Sequence, residues 1–197
     1  MRWVFASHNR GKIEEVQSYL SGSAIQLIPQ SELDVPEPEE TGLTFIENAI
    51  LKARHAAQHT GLPALADDSG LEVDYLKGEP GIYSARYAGT HGDMPANIAL
   101  LLDRLKGVPE AQRTARFYCV MAFMRHALDP KPQIFEGVWE GRILLVPQGV
   151  CHGYNPVFYV PTHQSSAAQL SVDVRNQLSH RGQSLKKMME WQQQSHA

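Results

Sequence analysis

Trp3-Val4-Phe5-Ala6-Ser7-His8-Asn9-Arg10-Gly11-Lys12-Ile13 is the stretch from which the fold can be read. Its first four residues are apolar, a run short enough for a buried strand and too short for a helix. From Gly11 the spacing changes, and Ile13, Val16 and Leu20 recur at helical intervals on one face. Residues 25–29, mostly apolar, are a second strand candidate. The order strand, polar turn, helix, strand sets the pattern that the rest of the chain extends.

A proline- and acid-rich loop over residues 34–42 follows, which cannot be helix interior. Thr44 and Glu47 have the spacing of a capping box and start a helix expected to reach about His59, with Gly61 ending it. Its apolar face is read as Ile46, Ala49, Ile50, Ala53 and Ala57. Residues 63–66 form another strand, ending at Asp67-Asp68-Ser69-Gly70, with a further strand-like run over 71–75. Residues 77–92 read as a glycine-rich loop, 97–105 as a helix and 114–124 as a long strand. Residues 134–139 and 142–146 read as a hairpin turning at Glu140-Gly141, and 157–160 as a short strand. The tail from residue 171 is helical, interrupted near Ser179-His180-Arg181-Gly182 and resumed through Leu185, Met188 and Met189. Helices interleaved with strands, one pair of them antiparallel, make an α/β fold with a mixed sheet.

A chain of 197 residues fits a single domain over 1–197, either one compact body or two lobes facing across a cleft. Its 43% apolar content builds a sizeable core. A net charge of −3 supplies no field to attract nucleic acid or an anionic membrane, so an anionic ligand must find its positive charge locally. Cys119 and Cys151 are the only cysteines, too few for a disulfide framework or a four-ligand zinc site. The N-terminus turns polar at Ser7, too early for a signal peptide, and no apolar run is long enough to span a membrane. These features set a cytoplasmic expectation.

Four places carry chemistry. Ser7-His8-Asn9-Arg10-Gly11-Lys12 joins a strand to a helix, where free N–H groups, the helix dipole and Lys12 favour an anion. It lacks the Walker pattern, and it reads equally as a polar turn. Asp67-Asp68-Ser69-Gly70 is either an Asx-type turn or a hard-cation site with a general base, which Glu39 and Glu40 could complete. Arg175 and Ser179-His180-Arg181 are either a solvated basic helix end or donors for a phosphate or base edge. Cys151-His152-Gly153-Tyr154-Asn155-Pro156 is a turn with two rings that either pack or stack on a base.

Taken together, the chain resembles the non-canonical purine triphosphate pyrophosphatases, the inosine and xanthosine triphosphate family. The resemblance runs over nearly the whole chain, through residues 40–49 (ETGLTFIENA), 66–71 (ADDSGL), 80–87 (PGIYSARY) and 179–182 (SHRG). It implies a two-lobed α/β fold with a long central mixed sheet flanked by helices, a nucleotide in the cleft between the lobes, and a homodimer. It also implies hydrolysis of inosine, deoxyinosine and xanthosine triphosphates to the monophosphate and pyrophosphate, with Mg²⁺.

By the same resemblance Ser7, His8, Asn9, Arg10, Gly11 and Lys12 hold the triphosphate. Asp68 is the metal-linked proton acceptor, and Glu39 is a further metal ligand with Glu40 as the alternative. Ser69 touches substrate, while His152, Gly153, Tyr154, Asn155, Arg175, His180 and Arg181 frame the base. The chain departs from the family pattern at His8, where a glycine is usual, at His152 and Asn155, where phenylalanine and aspartate are usual, and at Arg175, where lysine is usual. Loss of a carboxylate at Asn155 is expected to free an arginine fork for the base. The departures leave open a different or modified base, or a nucleotide-binding protein with little turnover.

Overall fold

The computed structural model describes residues 1–195. Strand β1 (Arg2–Phe5) forms at the opening apolar run, with residues 3–5 buried. The Asn9 side chain then accepts the backbone N–H of Lys12 and caps helix α1 (Arg10–Leu20), which buries Ile13, Val16 and Leu20. Strand β2 (Gln26–Pro29) returns parallel to β1, with Trp3 opposite Leu27 and Phe5 opposite Pro29.

Helix α2 (Phe45–Thr60) starts as the Thr44/Glu47 spacing predicts: Thr44 Oγ1 accepts the Glu47 N–H. The Glu47 carboxylate reaches back one residue further than in the usual box, to the Leu43 N–H at 2.7 Å. Gly61, at φ +67°, ends the helix. Its buried face differs from the expected one. Phe45, Asn48, Ala49, Ala53, Ala56 and Ala57 face inward, whereas Ile46 is 38% exposed. Counting apolar residues missed this, because the inner face is built from alanines that let α2 lie close on β1 and carries one buried polar residue.

Two expected turns are absent. Strand β3 (Ala64–Val73) runs straight through Asp67-Asp68-Ser69-Gly70, since both carboxylates have buried cationic partners and neither needs a solvated turn. After it come β4 (Pro80–Gly81), helix α3 (Met94–Arg104) and strand β5 (Thr114–Met124). Strand β6 (Gln133–Ile143) likewise continues through Glu140-Gly141. Gly141 serves for space and not for turning. A Cβ there would come within 2.5 Å of both the Phe158 ring and the Tyr159 carbonyl oxygen. Strands β7 (Phe158–Val160) and β8 (Ser165–Ser166) precede α4 (Val172–Leu178) and α5 (His180–Ser195), which meet at Ser179.

The strands form one mixed sheet in the order β2-β1-β3-β5-β6-β7-β8, with β4 on β3. β1 is parallel to β2 and β3, while β4, β7 and β8 join antiparallel. The chain divides into two compact units. The first comprises residues 1–68, 119–137 and the chain from Arg181 on. Its core joins Trp3, Phe5, Leu65, Cys119, Met121 and Phe123 of the strands to α1 and to Leu185 and Met188 of α5. The second comprises residues 69–118 and 138–180, with a core around Leu71, Leu101, Phe117, Trp139, Tyr154 and Phe158. Among the described residues no helix is long and apolar enough to cross a membrane.

Candidate active site

Asp67 and Asp68 are successive residues of β3, so their side chains leave opposite faces of the sheet. Asp67 is on the face of Leu65 and is fully buried. Lys12 pairs with its Oδ1, and Arg181 Nε donates to its Oδ2 at 2.9 Å. Arg181 Nη1 also donates to Glu15 Oε2 at 2.6 Å. Two cations thus meet two carboxylates, and the cluster is neutral. Burial opposes ionisation of Asp67, yet Arg181, Lys12 and Lys52 outweigh it and hold the carboxyl well below the usual carboxylate range. Cys119 Sγ lies 3.5 Å from the same carboxylate, and burial, aided by Asp67, pushes its thiol far up, which keeps it protonated and inert.

Asp68 faces the other way, toward α2. Lys52 Nζ donates to Asp68 Oδ1 at 2.8 Å and to Glu40 Oε1 at 3.0 Å, so two carboxylates share one ammonium. Asp68 Oδ2 has no hydrogen-bond partner among the described residues. Burial raises the Asp68 carboxyl above its ordinary value; Lys52 and Lys12 pull it down without cancelling the effect, and Glu40 adds to the rise. Lys52 is raised despite its burial because Asp68, Glu40 and Asp67 surround it with negative charge. It therefore stays charged while Asp68 is a comparatively basic carboxylate.

The turn before α1 lies in the same unit. Ser7 is buried and its Oγ accepts the Asn9 N–H at 3.1 Å. His8 binds Glu37 twice, through its backbone N–H at 3.3 Å and its Nδ1 at 3.1 Å, tying this turn to the acidic loop. Arg10 is exposed and, among the described residues, pairs only with Glu14, at 3.8 Å. Gly11 and Lys12 occupy the first turn of α1, where Asn9 satisfies the Lys12 N–H and the Arg10 and Gly11 N–H groups have no helical acceptor.

Within the acidic loop, Glu40 and not Glu39 reaches Lys52. Glu39 is exposed and makes no hydrogen bond or ion pair among the described residues. Residues that sequence reasoning passed over are Lys52, Glu15 and Asn48. For Lys52 and Asn48 the signal lay in α2 itself. A lysine and an asparagine four residues apart, among alanines that face the sheet, are buried polar groups that require partners.

The candidates of the second unit are arranged differently. Ser69 is half-buried in β3. Gly153 takes φ +62° in the turn after Cys151. Tyr154 belongs to the core, its hydroxyl donating to the Ser84 carbonyl at 2.9 Å. Asn155 is buried and closes its own turn by donating to the His152 carbonyl at 2.8 Å. The His152 ring is exposed, with Nδ1 3.6 Å from Cys151 Sγ. His180 stacks on Phe117 at 4.9 Å, and Arg175 is half-buried on α4. The Arg181 fork is held by Asp67 and Glu15 within the first unit.

The Ham1 family model matches residues 3–191. The chain belongs to the Ham1 family. Among its relatives in this family, a protein of Thioalkalivibrio sulfidiphilus named dITP/XTP pyrophosphatase is 56% identical over 96% of this chain and 97% of its own length. One of the same name from Vibrio parahaemolyticus is 55% identical over 94% and 93%. The solved structure of a HAM1 protein from Coxiella burnetii superposes with a TM-score of 0.93 at 47% identity, covering 98% of this chain and 99% of that one. The family thus accounts for the mixed α/β architecture, and its relatives carry the name of a hydrolase of nucleoside triphosphates.

Proposed function

We propose that this chain hydrolyses non-canonical purine nucleoside triphosphates, those of inosine, deoxyinosine and xanthosine, to the monophosphate and pyrophosphate, with Mg²⁺. The observation that carries the reading is Asp68. It is a buried, raised carboxylate with one oxygen on Lys52 and the other without a partner among the described residues, in a chain whose relatives are named for this reaction. A water at Oδ2 attacks the α-phosphorus and gives its proton to that oxygen. The bond from the α-phosphorus to the oxygen bridging it to the β-phosphate breaks, and pyrophosphate leaves with the bonding pair. Lys12, on the first turn of α1, and the free N–H groups beside it offset the charge gathering on the leaving group.

The metal reading rests on the donor set. Among the described residues no three acidic, histidine or cysteine side chains gather as ligands, so the protein alone makes no closed cation cage. Glu40 and Asp68 already converge on one cation, the Lys52 ammonium. Two carboxylates completed by substrate phosphate oxygens suit Mg²⁺. With the nucleotide bound, the ion would draw charge off the phosphorus under attack. A homodimer and a cytoplasmic location belong to the same reading and rest on the family resemblance and on the sequence.

The test is a panel of nucleoside triphosphates with pyrophosphate detection, run with Mg²⁺ and with excess chelator. Hydrolysis of inosine and xanthosine triphosphates well above adenosine triphosphate, abolished by chelation, is the expected result. Turnover unaffected by chelator sinks the metal, and orthophosphate in place of pyrophosphate sinks the attack at the α-phosphorus.

A further inference from the structure

The loop that carries Glu40 is short of regular structure, yet Glu40 must stand within reach of Lys52 and Asp68. Two features of this loop and α2 bear on how it is held. Gly42 N–H donates to Asn48 Oδ1 at 2.8 Å, and Asn48 is 1% exposed. A Cβ on Gly42 would come 2.6 Å from Asn48 Oδ1 and 2.7 Å from Glu47 Cβ, so the loop backbone is pressed against the first turn of α2. Asn48 and Lys52 are four residues apart on one face of α2, and Glu40 and Gly42 are two apart in the loop. The helix therefore grips the loop on either side of residue 41, Asn48 on Gly42 and Lys52 on Glu40, with the Glu47 carboxylate on the Leu43 N–H just beyond.

These grips differ in kind. The Lys52 grip is an ion pair within the candidate site, and a ligand that binds Glu40 or Lys52 competes with it. The Asn48 grip is a buried hydrogen bond between a side chain and a backbone amide, with no group in it that a nucleotide or a cation would claim. Further along the loop, the ties of His55 to the Pro36 carbonyl and of His8 to Glu37 are exposed and individually weak.

We propose that Asn48 and Gly42 form a positioning latch that sets where Glu40 stands relative to Lys52 and Asp68, independently of ligand. Its failure lets Glu40 leave Lys52, exposing the amine to solvent and separating the two carboxylates. The inference rests on the proposed function only in the use made of Glu40; the latch itself is a property of the folded chain. Only the acceptor end of the Asn48 amide is used: among the described residues Nδ2 has no partner, so the anchoring lies in Oδ1. Asn48→Asp keeps that acceptor, whereas Asn48→Ala removes it.

The experiment labels the intact protein with acetic anhydride, without nucleotide or metal, and follows Lys52 by peptide mass spectrometry. Wild type, Asn48→Ala, Asn48→Asp, Gly42→Ala and Phe135→Leu are compared under conditions where each is folded. Phe135→Leu trims the core of the first unit away from the loop and controls for general loss of stability. Lys52 is expected to acetylate about tenfold faster in Asn48→Ala and Gly42→Ala, the population change that losing one buried hydrogen bond produces. Asn48→Asp and Phe135→Leu should stay near the wild-type rate. A second readout is the Kd for Mn²⁺ with a non-hydrolysable triphosphate, expected to weaken in the same two variants only. Equal Lys52 protection in every folded variant, or equal deprotection in Phe135→Leu, overturns the latch. If labelling follows the expected pattern while wild type hydrolyses no triphosphate, the latch stands and the proposed function fails.

Discussion

Replacing Asp67 by asparagine removes the one charge that neutralises both Lys12 and Arg181 in the buried cluster beneath α1. Breaking a buried ion cluster from one side costs about 3–5 kcal/mol, because a cation is left uncompensated. Here the lower end applies. Arg181 keeps Glu15 at 2.6 Å, and the Lys12 side chain is 22% exposed and can turn to water. A loss of about 3 kcal/mol lowers Tm by about 6–12 °C for a chain of this size. The pH dependence gives a second check. The folded carboxyl is held well below its unfolded value of about 3.9, so its stabilisation is complete above about pH 4 and drains away as the pH falls toward the folded value. Asparagine carries no such dependence. The gap between wild type and Asp67→Asn should be widest near neutral pH and narrow between about pH 4 and 3. Urea unfolding followed by tryptophan fluorescence, with Trp3 in the same core, measures it. A gap below about 1 kcal/mol at pH 7, the size of an ordinary substitution, or one that does not change with pH, would refute the neutral-cluster account.

Three further outcomes are expected. Asp68→Asn should reduce kcat by at least about 10²-fold. Because burial disfavours the ionised Asp68 while Lys52 loses one of its two close carboxylates, the same variant should lower Tm by less than Asp67→Asn does. Lys52→Met removes the main cation beside Asp68 and leaves Glu40 next to it, so the acid limb of the kcat/KM profile should move to higher pH; an unmoved limb would place the proton acceptor elsewhere. Gly141→Ala puts a methyl group against Phe158 and the Tyr159 carbonyl and should cost about 2 kcal/mol or more in thermal unfolding, whereas a turn glycine at an extended φ would accept alanine freely.

The local order of the chain could be read directly. Short apolar runs gave β1 and β2, helical spacing gave α1, and Thr44 with Gly61 bracketed α2, because each signal acts over a few residues. The family wording also located the charged residues worth testing, among them Lys12, Asp68 and Arg181. What no local pattern decides is whether a polar pair interrupts a strand. Asp67-Asp68 and Glu140-Gly141 have the composition of turns, and both lie inside strands. In the first case Lys12, Arg181 and Lys52 arrive from three helices to satisfy the carboxylates; in the second the Phe158 ring requires a residue without a side chain.

The division of roles between neighbours is likewise tertiary. Alternation along β3 sends Asp67 to a neutral buried cluster and Asp68 to a shared ammonium, which lowers one carboxyl and raises the other. Sequence alone narrowed the acidic loop to Glu39 or Glu40; in the folded chain Lys52 of α2 pairs with both Glu40 and Asp68, while Glu39 stays in solvent. Residue types and their order determined which chemistry the chain holds. Which carboxylate can take a proton depended on burial and on the cations around it, and those are set by contacts between residues distant in sequence.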